Sequence, residues 1–387
     1  MEHSSSELDQ LRATARAHTE QVADLAQRIC AVPAPTGNEW QRAQFVATLL
    51  QQRGYLPDID EIGNVYVRRG KRGQGPVLMI LAHTDTVFPL ATPLHIRREG
   101  NILRGPSIGD NSASVATMIT LLEVLDKLHI ETAVDIVAVA DVGEEGLGNL
   151  CGARAAVRRY YDDLGAVIAL DGELGRIVPV SVGSKRWRVT VRGTGGHSFA
   201  AFGRPNAIYG LARIITAIAE LEVPKEPCTT YNVGIIEGGT SVNTIAAEAS
   251  ALIDLRSINE VMLNRLAEQV RAIIEQRAGE GLHTEITVLG ERPAGQRSLS
   301  DPLVRAAAHA LEWLGIEVRY GRGSTDANIP MSMNIPSICV GLTYIAGAHT
   351  TDEYLYVPPL GNGLAQLLFL CIEASTLIDK GTIRASK

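Results

Sequence analysis

Residues 79–89 read MILAHTDTVFP, and this stretch decides the fold of the chain. Val77 to Leu81 is a short apolar run typical of a buried strand, and polar residues begin where the run ends. In open α/β sheets, ligands and chemistry lie outside the carboxyl ends of the strands. His83 and Asp85 are two residues apart, so in an extended chain the Asp85 carboxylate can accept the second imidazole N–H. This pair suits a metal ligand, although an isolated H-x-D pattern favours a plain strand-end histidine.

Later apolar runs of the chain end in the same way. Asp141, Glu144 and Glu145 follow the run 134–140, and Asp171 and Glu173 follow the run 166–170. Asp110, next to a glycine, precedes an apolar helix predicted over Ser114–Leu128. Chance rarely repeats such a pattern, so the acids are predicted to lie at the same sheet edge as His83.

Length and composition bound the class of protein. A chain of 387 residues is too long for one ordinary domain and predicts two. With 45% hydrophobic and 20% charged residues and no biased tract, the chain is expected to be globular and soluble. The net charge of −7 and the pI near 5.8 argue against a phosphate-binding face, so no nucleic-acid partner is expected.

No membrane segment or secretion signal is predicted. Residues 1–6 and the following Arg- and Glu-rich segment lack the apolar core of a signal peptide. No apolar run approaches the length of a membrane span. The five cysteines are scattered and form no C-x-x-C, which suits a reducing compartment better than a disulfide framework. The cytoplasm is therefore the expected location.

The order of the elements predicts one domain inserted into another. The first part of the chain begins with a helix over about 8–31 and continues with the helices and apolar strands of an α/β protein. From Lys185 the strands alternate apolar and polar residues, and the order becomes βαββαβ, the ferredoxin-like arrangement. The predicted domains are residues 1–183 with 292–387, and an inserted α+β domain of residues 184–291.

These motifs, in this order, resemble those of the co-catalytic di-zinc metallopeptidases. They are H-x-D at 83–85, Asp110, the Glu144-Glu145 pair, Asp171 and GAHTTDE at 347–353. The family includes peptidase T, carboxypeptidase G-type enzymes, aminoacylases, and acetylornithine or succinyl-diaminopimelate deacylases. The resemblance runs nearly end to end. It implies a zinc-peptidase-like, three-layer α/β catalytic domain, with the inserted domain serving as a lid and dimerisation domain.

The resemblance implies a role for each residue of these motifs. One zinc ion would be completed by His83 and Asp171, the other by Glu145 and His349, and Asp110 would bridge the pair. Asp85 would orient the His83 ring, and Glu144 would be the general base for the attacking water. The implied cofactor is two zinc ions (Zn²⁺) per subunit, with Mn²⁺ or Co²⁺ as substitutes. A Glu-Glu pair is usually a solvated face, but this one directly follows a buried strand.

His197 lies in a glycine-rich segment, GTGGHS, of the inserted domain. The segment resembles the one whose histidine reaches the active site of the partner subunit and helps to stabilise the oxyanion. That role would require a dimer, and a homodimer through the inserted domain is the implied assembly. The alternative is a plain turn with a solvent-exposed histidine.

Two further segments resemble substrate-binding positions of the family. Asn243 and Arg256 would hold a substrate carboxylate or carbonyl, and a structural salt bridge is the alternative for Arg256. Ser324, Thr325 and Asp326 would line the pocket near the substrate terminus, and a helix N-cap is the alternative for that loop.

The implied activity is metal-dependent hydrolysis of a peptide bond in small peptides, as in the peptidase T-like aminopeptidases and di- or tripeptidases. An N-acyl amino acid deacylase or a carboxypeptidase is the alternative, because pocket loops set specificity on a shared metal core. A catalytically silent binding or regulatory member is an alternative of another class, which loss of a ligand or of Glu144 would favour. Two departures from the family pattern are Asn111-Ser112 after Asp110, where Lys and Gly are frequent, and Glu173 close to Asp171.

Overall fold

The computed structural model describes residues 5–384, which form two compact units. One unit consists of the chain up to Ser181 and from Gln296 onward, and the other is Val182–Gly295. The predicted insertion of one domain into another is confirmed. Residues 1–4 and 385–387 of the predicted domains lie outside the described part of the chain.

The first unit is an α/β fold. Its helices are Ser5–Ala17, Thr19–Cys30, Trp40–Gln51, Ala113–Lys127, Cys151–Arg159, Pro302–Trp313, Asn328–Ser332 and Pro359–Asp379, with a π-helical turn at Ile108–Ser112. Its strands are Asp58–Ile59, Val65–Arg69, Val77–His83, Arg97–Glu99, Ile102–Arg104, Asp135–Asp141, Leu164–Leu174, Arg176–Ser181, Arg319–Gly323, Ser337–Gly341, Ile345–Ala346 and Tyr354–Tyr356. The main sheet runs in the order 58–59, 65–69, 135–141, 77–83, 164–174, 337–341 and 176–181, and 319–323 pairs with 176–181. A smaller sheet joins 345–346, 354–356, 102–104 and 97–99.

Helices cover both faces of the main sheet. In the strand Val77–His83, Leu78 and Ile80 belong to one buried apolar cluster, whereas Met79 and Leu81 belong to the other. Because both faces are buried, this strand reads in the sequence as a continuous apolar run instead of an alternating one. The predicted three-layer architecture is confirmed.

The sheet topology brings several strand ends to one edge. Strand 77–83 runs parallel to both 135–141 and 164–174, and His83 lies opposite Asp141 in the register. Strand 164–174 extends beyond the predicted apolar run and carries Asp171 two residues past the last register pair with its neighbour, Leu81 opposite Ala169. The polar residues that follow these strands therefore share one edge, and that edge positions the candidate site.

The predicted first helix is divided in two. The helix expected over about 8–31 is broken at His18. There the imidazole Nδ1 of His18 lies 2.7 Å from the carbonyl oxygen of Thr14, and the hydroxyl of Thr19 donates to the carbonyl of Arg16 at 2.7 Å. Local bonds between side chains and backbone compete with the regular helical pattern, and apolar spacing does not reveal them.

The helix Pro359–Asp379 contradicts the expectation that no run approaches a membrane span. It is 21 residues long and apolar enough to qualify by length and composition. However, 67% of its most apolar stretch is buried inside the protein, where it packs against helices 113–127 and 302–313. It is a core helix of the first unit in this structure.

The second unit has the predicted ferredoxin-like order. Its strands are Gly183–Arg192, Thr229–Gly238, Glu248–Ser257 and His283–Arg292, its helices are Ala207–Ala219 and Glu260–Arg277, and its short strands are Gly196–His197 and Thr244–Ile245, with Gly295–Gln296 at the unit boundary. The four long strands form an antiparallel sheet in the order 229–238, 248–257, 183–192 and 283–292. Asn206 and Asn259 begin the two helices, because their side chains accept backbone N–H groups at 2.9 Å and 3.0 Å.

Candidate metal centre

His83 is fully buried at the end of its strand. Its Nδ1 lies 3.2 Å from the backbone oxygen of Asp85 and 3.5 Å from the Asp85 carboxylate. Its Nε2 lies 3.3 Å from Asp110 Oδ1 and forms no hydrogen bond with a described residue. Buried polar atoms are rarely left unbonded, and an imidazole nitrogen with a free lone pair fits a metal ion.

Asp110 lies between two histidines. Its Oδ1 is 3.3 Å from Nε2 of His83, and its Oδ2 is 3.2 Å from Nε2 of His349. The residue belongs to the π-helical turn that leads into helix 113–127, and the Asp110–Asn111 peptide bond is cis. Each carboxylate oxygen therefore faces a different histidine, as a bridging ligand requires.

The predicted ligands form two overlapping groups of donor atoms. One group contains His83, Asp110 and Asp171, the other contains Asp110, Glu145 and His349, and within each group the donor atoms lie within 4.8 Å of one another. In the second group, Nε2 of His349 is 2.9 Å from Glu145 Oε1. Imidazole and carboxylate are suitable donors for zinc and similar divalent ions, and a shared carboxylate suits a two-metal site. The residues therefore fit a dinuclear metal centre.

Asp85 connects the first strand end to the Glu144-Glu145 segment. Its carboxylate accepts the backbone N–H groups of Glu144 and Glu145 at 2.9 Å and 2.8 Å, and the hydroxyl of Thr36 at 2.8 Å. These bonds hold both glutamates beside His83, a function that the H-x-D pattern did not reveal. The Glu144 side chain is 5% exposed and forms a further donor group with His83 and Glu145.

The pKa values of the candidate ligands are strongly perturbed. The hydrogen bond to Asp110 raises the pKa of His349 to about 9. Burial alone would lower the pKa of His83, but the neighbouring carboxylates of Asp110 and Asp85 raise it well above its usual range. Burial raises the pKa of Asp171 to about 7 and also raises that of Glu145. Since metal ligands must be deprotonated, metal binding near neutral pH releases protons from this cluster.

The two departures from the family pattern make contacts of their own. The side-chain amide of Asn111 donates to the carbonyl of Leu170 at 2.8 Å and so ties the Asp110 turn to the strand that carries Asp171. Glu173 is 3.3 Å from Arg319 and belongs to neither group of donors among the described residues.

Sequence reasoning gave no role to Glu353 or Asp141, two other buried carboxyl groups. Glu353 accepts the backbone N–H groups of Gly109 and Asp110 at 2.7 Å and 2.8 Å, and burial raises its pKa to about 8. Its place in the GAHTTDE motif was the available signal. Asp141 and Asp326 are buried as a pair, and burial raises the pKa of both, to about 7 for Asp141. Asp141 and Asp326 are far apart in the sequence, so no local sequence pattern could predict that they lie together.

The loop that begins with Ser324 lies in the first unit and precedes helix 328–332. Thr325 and Asp326 are buried, and the backbone N–H of Thr325 donates to the Asn328 side chain at 2.9 Å. The N-cap position of the helix is Ala327, and it makes no side-chain capping bond. The loop is therefore held by its own residues and by the pairing of Asp326 with a strand-end carboxylate.

Three predicted residues lie in the second unit. His197 is exposed, and its Nδ1 accepts two backbone N–H groups of the following loop at 3.2 Å and 3.4 Å, which places the ring proton on Nε2. Asn243 is also exposed. Arg256 donates to Asp254 at 2.6 Å, the structural salt bridge expected as its alternative.

Family models match two parts of the chain. The peptidase dimerisation domain matches residues 181–282, and peptidase family M28 matches residues 64–186. The succinyl-diaminopimelate desuccinylase of Corynebacterium glutamicum is 27% identical over 341 residues, which cover 85% of this chain and 90% of that protein.

Solved structures are similar over nearly the whole chain. The aminopeptidase PepT of Bacillus cereus has a TM-score of 0.76 at 22% identity and covers 92% of this chain and 98% of its own. A tripeptidase of Staphylococcus aureus has a TM-score of 0.79 at 21% identity, and the match covers 92% of this chain and 99% of the tripeptidase. The di-peptidase Dug1p of Saccharomyces cerevisiae has a TM-score of 0.74 at 14% identity, and the match covers 96% of this chain and 99% of Dug1p. The inserted domain therefore matches the peptidase dimerisation model, residues 64–186 match peptidase family M28, and the whole chain has the fold of the PepT aminopeptidase and the tripeptidase.

Proposed function

We propose that this metal-dependent hydrolase is a di-zinc aminopeptidase that cleaves di- or tripeptides. The observation that carries the proposal is the position of Asp110, which is shared by two donor groups that each contain a histidine. The similarity to the PepT aminopeptidase and to a tripeptidase over nearly their whole chains supports small peptides as the substrate.

The mechanism assigns the proton transfers to Glu144. His83 and Asp171 would hold one ion, Glu145 and His349 the other, and Asp110 would bridge them. Bound zinc ions supply Lewis-acid polarisation of the scissile carbonyl and increase the acidity of water. Glu144 accepts a proton from the attacking water and gives it to the leaving amine nitrogen as the C–N bond breaks. The backbone bond from Glu144 to Asp85 and the burial of its side chain support this role, since both fix the carboxylate in place.

The other predicted residues are proposed to act on the substrate in different ways. His197, with its N–H on Nε2, would donate to the oxyanion from a second subunit. Asn243, which is exposed, would bind a substrate carbonyl. The Asp254 pair supports a structural role for Arg256, and the burial of Thr325 and Asp326 supports a role for these two in shaping the pocket wall beside Ser324.

We further propose a homodimer that forms through the inserted domain. Strand 229–238 is an edge of its sheet and exposes Ile235 and Ile236 by 50% and 58%. An apolar edge strand readily pairs with a second copy of itself.

Ile236→Glu is expected to convert the dimer to a 41.5 kDa monomer in analytical ultracentrifugation. Val288→Glu on the opposite edge strand, where Val288 is 51% exposed, is the matched control and should leave the dimer intact. A dimer that survives Ile236→Glu would place the interface elsewhere.

Hydrolysis of a substrate panel tests the proposed activity. Free-amine di- and tripeptides are compared with N-acetyl and N-succinyl amino acids, with zinc, manganese or cobalt added. We expect turnover of the free-amine peptides that a chelator abolishes and added metal restores. Faster turnover of acylated substrates would instead show a deacylase, which the 27% identical desuccinylase favours. Metal binding without any turnover would show a silent binding member, and failure to bind metal would reject the assigned centre.

The cytoplasm is the proposed location. The five cysteines are all free in the structure, and three of them are buried, which supports a reducing compartment. Fractionation of cells followed by detection of the protein tests this location.

A further inference from the structure

Arg42 is a buried charge that the proposed mechanism does not use. Its side chain is 1% exposed, and of the lysines and arginines described in the first unit it is the only buried one. Burial lowers its pKa to about 10, so the guanidinium stays charged at neutral pH. Burying a cation is costly, and an apolar side chain would fill the same space without that cost.

The guanidinium bonds to backbone carbonyl groups from two separate segments. Nε donates to Val32 at 2.7 Å, and a terminal nitrogen lies 3.4 Å from the carbonyl of Cys30. The other terminal nitrogen donates to the carbonyl of Thr84 at 2.8 Å. The planar fork of arginine can reach several such acceptors at once, whereas the single ammonium of lysine cannot reproduce that geometry. The side chain therefore joins the segment around residues 30–32 to the residue between His83 and Asp85.

Neighbouring bonds strengthen the same junction. The backbone N–H of Thr86 donates to the carbonyl of Ala34 at 2.9 Å, and that of Thr36 donates to the carbonyl of Thr86 at 3.2 Å. The hydroxyl of Thr36 then reaches the Asp85 carboxylate. Residues 30–36 thus hold residues 84–86 from outside the sheet. The bond from Arg42 reaches the carbonyl of Thr84, the residue between His83 and Asp85.

We propose that Arg42 is a positioning residue for the metal centre, which acts through the Thr84 carbonyl to hold His83 and Asp85 in their metal-binding arrangement. The inference rests on the proposed metal centre but not on the identity of the substrate.

The test compares Arg42→Lys and Arg42→Met with the matched pair Arg28→Lys and Arg28→Met. Arg28 lies on the preceding helix, and its side chain is 45% exposed. Zinc affinity of the chelator-treated protein is measured by competition with a chromophoric chelator, alongside kcat, KM and thermal unfolding. Loss of a group that supports a metal ligand typically costs about 10–100-fold in metal affinity or activity. For Arg42→Met we expect zinc affinity and kcat each to fall by that factor, and for Arg42→Lys we expect a smaller loss in both. KM should be unchanged, and both Arg28 variants should have wild-type values.

Two results would overturn the proposal. One is that the folded Arg42→Lys protein has the zinc affinity and the kcat of the wild type, and that Arg42→Met, if it folds, has them too. The other is a zinc affinity that falls only in proportion to the unfolded fraction and recovers on cooling, which would show a structural role alone. If Arg42→Met does not fold, Arg42→Lys decides the matter, because it keeps the charge and loses only the fork. If the wild type binds zinc but cleaves nothing, the proposed function fails, and zinc affinity still tests Arg42.

Discussion

Replacement of Glu144 by glutamine is expected to lower kcat by about 10²–10⁴-fold, the usual contribution of a general base. Glutamine has nearly the same shape but cannot accept the proton of the attacking water. The bond from residue 144 to Asp85 comes from the backbone, so the substitution leaves it intact. We therefore expect zinc content and KM to remain close to those of the wild type, with the loss confined to the catalytic step.

Two variants make the Glu144 result specific. Glu61→Gln changes an exposed glutamate that belongs to none of the donor groups among the described residues, and it should leave kcat unchanged. Glu145→Gln removes a candidate ligand next to the base and should lower zinc content as well as kcat. Steady-state kinetics with the best peptide of the panel and elemental analysis of the purified proteins give both quantities. A Glu144→Gln protein that retains more than about a tenth of the wild-type kcat would remove Glu144 from the mechanism.

Much of the candidate site follows from the topology of a parallel sheet. Apolar runs that end in His83, Asp141 and Asp171 predict neighbouring strands whose carboxyl ends meet, and the structure has these strands side by side. Asp110 and His349 lie outside these strands: the glycine-flanked position before an apolar helix pointed to Asp110, whereas only the family resemblance led to His349. Local pattern and family motif are therefore different sources of information. The prediction that Asp110 bridges two metal ions came from the family motif.

The supporting residues could not be predicted in this way. Arg42, Thr36 and Glu353 bond mainly to backbone groups or to a carboxylate in another segment, and such contacts depend on how distant segments pack. Arg42 sits in a helix whose apolar spacing is ordinary, so its sequence reads as that of a surface arginine. Asp326 was interpreted as a pocket residue, and its burial against Asp141 appears only when the loop is placed on the sheet.

Replacement of Asp110 by asparagine is expected to have the largest effect on metal content. Asp110 is the only described residue shared by the two donor groups that contain His83 with Asp171 and Glu145 with His349. Asparagine keeps the size of the side chain but offers a single uncharged oxygen, because its nitrogen cannot serve as a ligand. We expect zinc content to fall from two ions per subunit to one or fewer. Loss of the charge stabilisation that a metal ion provides, several kcal/mol, corresponds to a decrease in kcat of about a thousandfold or more.

Elemental analysis and kinetics on the Asp110→Asn protein separate loss of metal from loss of fold. Asp24→Asn on the exposed face of helix 19–30 is the matched control and should keep both ions and full activity. The negative charge of Asp110 also raises the pKa of His349 in the metal-free protein, so in the variant that histidine should titrate at lower pH in NMR spectra. This shift appears in the folded protein whether or not any substrate is cleaved. If Asp110→Asn binds two zinc ions and leaves the His349 titration unchanged, Asp110 does not bridge the centre, and the two donor groups must be assigned to separate sites.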